Sequence, residues 1–368
     1  MLPPIRHGDL FDPRIAAGDT VVIIDGVYHH APAVRHKEII WTLARSVRVI
    51  GAASIGALRA AELRACGMIG LGAVWQAYAD GVLEGDDEVA VAQSAVDARA
   101  CTWPLVRVRQ VVGMARSRHV IDVEQAGRLT SALAEVYYAH RSLDAVKRIT
   151  RRLAPSFDAW LDDALATDPH FGDVKRTDAL TAVHAALELD GPPTVPVPGL
   201  AWATRCFRQW ANAFAVEMTE HGRLLTVQRV GFQQIFDRQF KDVWWEFLAE
   251  YGASGLPPTL ACAVINPCAD LTDEATAARL LARETGADRA DAARYAAVNT
   301  EACRRHGGFF PEAIKESVVQ EMLTAVWDVG SAGLEEEAWL RGFQGVREAV
   351  DAARPFVLGF LRDQEAVR

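Results

Sequence analysis

Short β-branched runs alternate with amphipathic stretches in the N-terminal part of the chain. Residues 20–25 (TVVIID) form a continuous apolar run that ends in Asp-Gly, which is typical of a buried parallel strand, and residues 47–50 (VRVI) form a second one. Between them, apolar positions 40, 43, 44 and 47 recur at helical spacing, and another helix is predicted over 57–64. This order predicts a βαβα unit with two parallel strands joined by a right-handed crossover.

Three shorter segments follow this unit. Residues 67–72 (GMIGLG) are predicted to stop the preceding helix and form a turn, and residues 74–79 to form a short helix. Residues 86–92 (DDEVAVA) are predicted to be an acidic loop that runs into a third strand.

Helical periodicity dominates the chain beyond Pro104, interrupted by the proline-rich segment 190–199. Two aromatic stripes at helical spacing are typical of core packing: Phe207, Trp210, Phe214 and Met218 in one, and Phe236, Phe240, Val243 and Phe247 in the other. We therefore predict an α/β N-terminal domain with a parallel, Rossmann-like sheet, followed by a mainly α-helical region. The predicted domains are an α/β core at 1–110, a helical extension at 111–190 and a helical C-terminal domain at 200–368.

Composition and charge limit the classes of partner that this chain is expected to bind. No apolar run reaches the roughly 18–20 residues that a membrane span needs, and the N-terminus has no signal-like apolar region. The net charge of −9 argues against nonspecific binding to nucleic acid or anionic membranes. Six cysteines form no CxxC pair, and the spacing of Cys262 and Cys268 is a weak metal signal. These features predict a cytoplasmic protein without nucleic-acid or membrane partners.

Ser54 is the strongest candidate for chemistry, since it lies after the second strand and before a helix in the segment GAASIG at 51–56. A hydroxyl at a helix N-terminus lies beside free backbone N–H groups and the positive end of the helix dipole. Those groups can hold a carboxylate or stabilise an oxyanion. The alternative is that Ser54 simply caps its own helix.

Other polar residues are predicted to reach the same edge, because loops that follow parallel strands emerge together. Asp25, His29 and His30 follow the first strand, and His36, Lys37 and Glu38 come soon afterwards. The candidate bases for Ser54 are His29, His30, His36 and Lys37. Asp86, Asp87 and Glu88 could orient a base, hold Mg²⁺ or accept an arginine, or form a solvated surface. Arg59 and Glu62 could pair with each other, or Arg59 could point towards an anion.

No cofactor or metal site is indicated by these patterns. The segment 67–72 follows a helix rather than a strand, so it is not a dinucleotide fingerprint, and the chain has neither a Walker lysine motif nor a zinc-type cluster.

The ordered motifs resemble the TfuA-like family over roughly the first 110 to 150 residues. The matching stretches are Asp25-Gly26, PAVRHKEI at 32–39, GAASIGALRAAEL at 51–63, Gly67-Met68 and DDEVA at 86–90, with weaker similarity at 104–109 and 138–141. At Ile55 the family more commonly has methionine, which also keeps an apolar side chain. The resemblance implies a partner of a YcaO enzyme in making peptide backbone thioamides, and hence a YcaO enzyme and a precursor peptide as partners.

Chemistry suggests a specific hypothesis for this role, in which sulfide is released from a small carrier protein that ends in a thiocarboxylate. Ser54 would be the nucleophile or the carboxylate anchor, and His36 or Lys37 the base. The residues expected to bind or orient are Asp25, His29, Glu38, Arg59, Glu62, Asp86, Asp87 and Glu88. Two alternatives stay open: a noncatalytic module that docks on or assists the YcaO enzyme, and an unrelated nucleotide-binding α/β enzyme.

Overall fold

The computed structural model describes residues 2–29, 31–94, 96–97, 99–189, 203–220, 222–265 and 269–367. The chain forms two compact units, residues 1–200 and 201–368. An α/β region with a parallel sheet is followed by mainly helical structure, which confirms the predicted fold class. The proline-rich segment 190–199, His30 and Cys268 lie outside the described residues. The finer division at 110 stays a prediction.

The first unit contains three strands and eight α-helices among its described residues. These are β1 (Thr20–Ile23), α1 (His36–Ala44), β2 (Arg48–Ala52), α2 (Ile55–Glu62), β3 (Ile69–Leu71), α3 (Ala73–Ala79), α4 (Leu105–Ser117), α5 (Val123–Ala134), α6 (Leu143–Leu153), α7 (Pro155–Thr167) and α8 (Val174–Glu188). Short 3₁₀ turns lie at Asp9–Phe11, Arg64–Cys66, Asp86–Glu88 and Tyr138–His140.

The sheet has the order β1-β2-β3 and all its strands are parallel. The two strands and helices of the predicted βαβα unit are confirmed, with Val22 opposite Ile50 in the register. The prediction of the third strand is wrong. The third strand of the sheet, β3, lies at Ile69–Leu71, inside the segment that was predicted to be a turn. The segment Asp86–Glu88, which was predicted to lead into the third strand, forms a 3₁₀ turn. Gly67 ends the preceding turn at a φ of 98°, and the chain then extends beside β2.

The two faces of the sheet are covered by different parts of the chain. On one face Ile23 and Val49 pack with residues of α1 and α2, including Ile39 and Ala60. On the other face apolar side chains of the three strands pack against small residues of α8: Val22, Ile24, Ile50, Ala52, Ile69 and Leu71 from the strands and their ends, and Ala179, Ala182 and Ala186 from α8. A helix of the predicted extension therefore completes the α/β core. The helices α4 to α7 form a separate apolar cluster around Leu129 and Phe157.

The second unit is helical apart from one hairpin within its described residues. Its elements are α9 (Arg205–Ala211), β4 (Val216–Thr219), β5 (Gly222–Leu225), α10 (Thr226–Phe236), α11 (Phe240–Glu250), α12 (Pro258–Ile265), α13 (Glu274–Leu280), α14 (Gly286–Arg305), α15 (Glu316–Trp327), α16 (Leu334–Leu340), α17 (Val346–Ala353) and α18 (Val357–Val367). The strands β4 and β5 pair antiparallel. Within the described ranges, no helix combines the length and the apolar character that crossing a membrane requires.

The structure agrees with only part of the prediction of two aromatic stripes in this unit. The first is wrong as a single helical face, because α9 ends at Ala211 and Met218 belongs to β4. The second is divided, since α10 ends at Phe236 and α11 begins at Phe240. Its α11 members Phe240, Val243 and Phe247 are buried in one core cluster: that part of the prediction is confirmed.

Candidate functional site

Ser54 lies at the junction of β2 and α2, in an unusual backbone conformation. The preceding Ala53 has a φ of 68°, a left-handed conformation that costs energy for a residue with a Cβ atom. The Ser54 N–H donates to Ile24 O at 3.2 Å and to Ala52 O at 2.7 Å. Its hydroxyl makes no capping hydrogen bond to α2. The side chain at this helix N-terminus is therefore not used as a cap, and only 3% of the residue is exposed.

Two glycines bring α2 unusually close to the sheet beside Ser54. A Cβ atom on Gly56 would lie 1.8 Å from the carbonyl oxygen of Ile23, and one on Gly51 would lie 2.1 Å from the carbonyl oxygen of Gly56. The two glycines of the segment GAASIG, at positions 51 and 56, thus allow the first turn of α2 to pack directly on β1 and β2. At that turn the N–H groups of Ile55 and Gly56 have no partner within the helix, as at any helix N-terminus.

The end of β1 contributes Asp25 to the same edge. One carboxylate oxygen accepts a hydrogen bond from the N–H of Gly26 at 3.0 Å, and the other accepts from Nε2 of Gln93 at 3.1 Å. Gln93 was not a predicted site residue. Asp25 is therefore held in place by its own loop and by a segment 68 residues further along the chain.

His29 belongs to a group of aromatic side chains, the aromatic rim, which consists of Tyr28, His29, Tyr137, Tyr138 and His140. Tyr28 and His29 stack at 4.0 Å, and Nδ1 of His29 lies 3.1 Å from the hydroxyl of Tyr138. The Tyr28 hydroxyl donates to Oδ1 of Asp86 at 3.0 Å. Burial, together with this hydrogen bond, raises the pKa of Tyr28 to about 12. The rim joins the loop after β1 to the acidic run and to the turn at 138–140.

His36 is hydrogen-bonded at some distance from Ser54. Its Nε2 lies 2.8 Å from Oε2 of Glu62, and the same oxygen accepts from Nη1 of Arg59 at 2.6 Å. Burial favours a higher pKa for Glu62, but the hydrogen bonds from His36 and Arg59 outweigh it and lower that pKa below its ordinary value. Glu62 follows Ser54 by eight residues, which is about 12 Å along a helix. Of the two predicted interactions of Arg59, the one with Glu62 is therefore present. Lys37, the other predicted base, is half-buried on α1.

The acidic run 86–88 divides into two environments. Glu88 is buried and forms a two-pronged ion pair with Arg109, with Oε2 at 2.9 Å from Nε and Oε1 at 2.6 Å from Nη2. This hydrogen bonding raises the pKa of Arg109. Asp86 and Asp87 are exposed, and Asp86 accepts the hydrogen bond from Tyr28. Glu88 thus accepts hydrogen bonds from an arginine, which was one of the roles predicted for this acidic run.

Glu38 anchors the N-terminal loop to α1. It is fully buried, with Oε2 accepting from the N–H of Gly8 at 2.8 Å and Oε1 accepting from the N–H of Arg35 at 2.6 Å. Oε1 also lies 3.3 Å from Nδ1 of His7. Burial, which outweighs the backbone hydrogen bonds, raises the pKa of Glu38 to about 7. These contacts show a structural use for this side chain.

Glu38→Gln is expected to flatten the pH dependence of stability. Because the pKa of Glu38 is about 7 in the folded state and 4.5 ordinarily, the folded state holds the proton more tightly. This stabilisation is complete below about pH 4.5 and is lost as pH rises through about 7, a change of up to about 3 kcal/mol. Urea unfolding at pH 4.5 and pH 8 should show the wild type losing more stability than the variant. Parallel pH profiles of the two proteins would contradict this assignment.

The amine of Lys175, at the start of α8, also lies at this edge and was missed by the sequence analysis. Its Nζ donates to the carbonyl oxygen of Val89 at 2.9 Å. Burial lowers the pKa of Lys175, although the negative charges of Asp25 and Asp173 oppose that shift. One turn later, buried Asp178 accepts hydrogen bonds from the N–H groups of Ala73 (3.0 Å) and Val74 (2.8 Å) at the start of α3. A periodicity argument cannot reveal these contacts, since they join segments about a hundred residues apart.

No group of three or more His, Cys, Asp or Glu side chains that could hold a metal ion is found in the described parts of the chain. The sulfur of buried Cys262 donates a hydrogen bond to the carbonyl oxygen of Trp339 at 3.1 Å.

Comparison with known families identifies the segment that carries this edge. Residues 25–142 match the family model described as TfuA-like protein, which confirms the resemblance over about a third of the chain. The matched segment contains Ser54, Asp25, the acidic run and the aromatic rim, and it ends before α8. A comparison with curated proteins found no match.

Proposed function

We propose that this protein acts with a YcaO enzyme in forming peptide backbone thioamides, and that it supplies sulfide by hydrolysing a thiocarboxylated carrier protein in the cytoplasm. The match to the TfuA-like family supports the pathway. The observation that supports the chemistry is the Ser54 hydroxyl, which makes no capping hydrogen bond although it precedes the free N–H groups of α2. A hydroxyl that is not used as a cap is available for another role.

The proposed reaction is acyl transfer to Ser54. Its oxygen attacks the thiocarboxylate carbon, and the N–H groups of Ile55 and Gly56 stabilise the oxyanion that forms. The carbon–sulfur bond breaks to release sulfide, and water then hydrolyses the acyl-serine ester. Asp25, held by Gln93, and the charged groups of Arg59 and the acidic run bind or orient the carrier. The assignment of His36 or Lys37 as the base stays a prediction.

A second candidate is a noncatalytic docking module for the YcaO enzyme or the precursor peptide. It is favoured by the low exposure of Ser54, at 3%, and by the aromatic rim of the same segment, in which Tyr137 is 52% exposed. Exposed aromatic side chains supply large contact areas at protein interfaces. In this case the edge recognises a partner without performing chemistry.

Sulfide release from a thiocarboxylated carrier, measured with the wild type and with Ser54→Ala, separates the two candidates. We expect release by the wild type and a loss of about 10³-fold or more in the variant, as for other acyl-transfer nucleophiles. Ser117→Ala, at the exposed end of α4, is the matched control and should keep the wild-type rate. Absence of release by the wild type, both alone and with a YcaO enzyme present, would exclude the hydrolase and leave the docking module.

A further inference from the structure

The second unit contains a cavity, the α10–α17 cavity, that no sequence pattern predicted. Its volume is about 340 Å³, which lies within the range of roughly 300–1,000 Å³ that is typical of ligand pockets. The α10 residues that line it recur at helical spacing, so one face of that helix borders the cavity. The lining residues of the two helices include Val227, Val230, Gly231 and Gln234 of α10, and Glu348 and Asp351 of α17.

Much of the wall is apolar. Val230, Leu271 and Phe343 line the cavity, and each of them is buried. Apolar surface of this kind is covered more favourably by hydrocarbon than by water. The wall therefore favours a ligand with an aliphatic or aromatic body.

Gly231 keeps part of this space open. It is buried in the middle of α10, where glycine has a lower helix propensity than alanine. A Cβ atom on Gly231 would meet nothing closer than the Cβ atom of Ala352, at 3.8 Å. Alanine would therefore fit here and would favour the helix. The space beside Gly231 is thus not required by the packing of α10 itself.

The charged groups on the wall are carboxylates. Glu348 and Asp351 are three residues apart on α17, so they lie on the same side of that helix. Oε2 of Glu348 accepts from the N–H of Gln344 at 2.5 Å, and Oδ1 of Asp351 accepts from Nε of Arg354 at 3.3 Å. A carboxylate can accept about four hydrogen bonds. Among the described residues that line the cavity, none is a lysine or an arginine, so the wall attracts positive charge.

A buried polar group on the same wall suggests a further property of the ligand. Trp244 lines the cavity and is 4% exposed, and its indole N–H has no acceptor in hydrogen-bond geometry among the described residues. Burial, together with the charge of Glu348, raises the pKa of the Cys262 thiol to about 11, and Trp244 opposes that shift. Buried N–H groups normally have an acceptor. The wall therefore favours a ligand that carries an acceptor oxygen as well as a positive charge.

We infer that the α10–α17 cavity binds an organic cation: an ammonium or guanidinium group on an aliphatic stem that also bears a carbonyl oxygen, as in lysine or arginine, free or within a peptide. The stem packs on the apolar wall, and the cationic group pairs with Glu348 and Asp351. The cavity lies outside the segment 25–142 that matches the family, so failure of the chemistry proposed at Ser54 would leave this site unaffected.

Isothermal titration calorimetry with the full-length chain tests this binding. The probe is N-acetyl-arginine methylamide, and the control is the citrulline counterpart, which has nearly the same shape but carries no charge. We expect the arginine probe to bind at millimolar concentration or below, and the citrulline probe to bind at least about ten-fold more weakly. Equal binding of the two probes, or no binding of the arginine probe at millimolar concentrations, would overturn the inference.

Substitutions in the wall locate the binding. Glu348→Gln and Asp351→Asn should each weaken binding of the arginine probe several-fold, and Gly231→Ala should weaken it while raising the melting temperature, because the added methyl group fills part of the cavity and favours α10. The matched control is Glu336→Gln, an exposed carboxylate of α16 that should leave binding unchanged. Undiminished binding in the double variant Glu348→Gln with Asp351→Asn would exclude this cavity as the site.

A comparison of free lysine and arginine with the blocked tripeptide Ala-Arg-Ala distinguishes the two sources of the cation. Tighter binding of the tripeptide would assign the cavity to a basic side chain of a peptide. Binding of the free amino acids with exclusion of the tripeptide would assign it to a small metabolite. If neither the free amino acids nor the tripeptide binds, the inference fails for both sources.

Discussion

Gly56→Ala is expected to prevent the N-terminal unit from folding. The added Cβ atom would lie 1.8 Å from the carbonyl oxygen of Ile23, well inside van der Waals contact. The obstacle is backbone in a buried strand, so no change of rotamer can relieve it. Moving α2 away would open the core around Val49 and Ala60. Overpacking of a core commonly costs about 1–3 kcal/mol, and a backbone clash of this depth costs more, against a total stability of about 5–15 kcal/mol.

Urea unfolding followed by circular dichroism, with hydrogen exchange to report on α2 and β1, measures this effect. Gly127→Ala is the matched control, because Gly127 lies inside α5 and a Cβ atom there would meet nothing within 4 Å. That control should be stabilised by about 0.5–1 kcal/mol, because alanine has a higher helix propensity than glycine. A Gly56→Ala protein that unfolds at the wild-type midpoint would show that α2 does not rest on the sheet as described.

Asp178→Ala is expected to lower the free energy of unfolding of the N-terminal unit by about 2 kcal/mol. The carboxylate binds two backbone N–H groups at the start of α3, and its loss would leave the N–H of buried Val74 without a partner, whereas Ala73 is an exposed residue whose N–H can bind water. Each unsatisfied buried group costs about 1–3 kcal/mol. The substitution also removes the one described polar link between α8 and α3, so α8 should loosen from the sheet.

Hydrogen exchange at Ala73 and Val74, together with urea unfolding, should detect this loosening. Asp178→Asn is the informative companion, since its amide oxygen can accept one of the two hydrogen bonds and its volume is almost unchanged. We expect it to lose less stability than Asp178→Ala. Equal protection of the two amides in the wild type and in Asp178→Ala would contradict the capping role of this carboxylate.

Local patterns were sufficient for part of the fold. The strands β1 and β2 are β-branched runs flanked by turn residues, and α1 and α2 have apolar residues at helical spacing. Each of these four elements can therefore be predicted from its own residues alone. In contrast, β3 has three residues with a glycine at its centre, and it becomes a strand only because β2 offers it a hydrogen-bonding edge. The pattern of α8 reveals a helix, but which surface a helix covers depends on contacts across the chain.

The same distinction between local and long-range information applies to the candidate site. Parallel topology alone brings Asp25 and Ser54 to one edge, which is why they could be proposed from the order of strands and loops. The side-chain partners could not be predicted, because they come from remote segments: His36 pairs with Glu62, and Glu38 holds Gly8. Lys175 approaches this edge only through the docking of α8, which no motif around Ser54 encodes.

The position of α8 limits how this protein can be dissected or recombined. The segment that matches the family ends at residue 142, whereas the sheet within it is closed on one face by Ala179, Ala182 and Ala186. A fragment cut at the family boundary would carry every signature motif and yet expose an apolar sheet face to solvent, where it would promote aggregation. The portable module, for grafting into another protein or for expression alone, extends at least to Glu188.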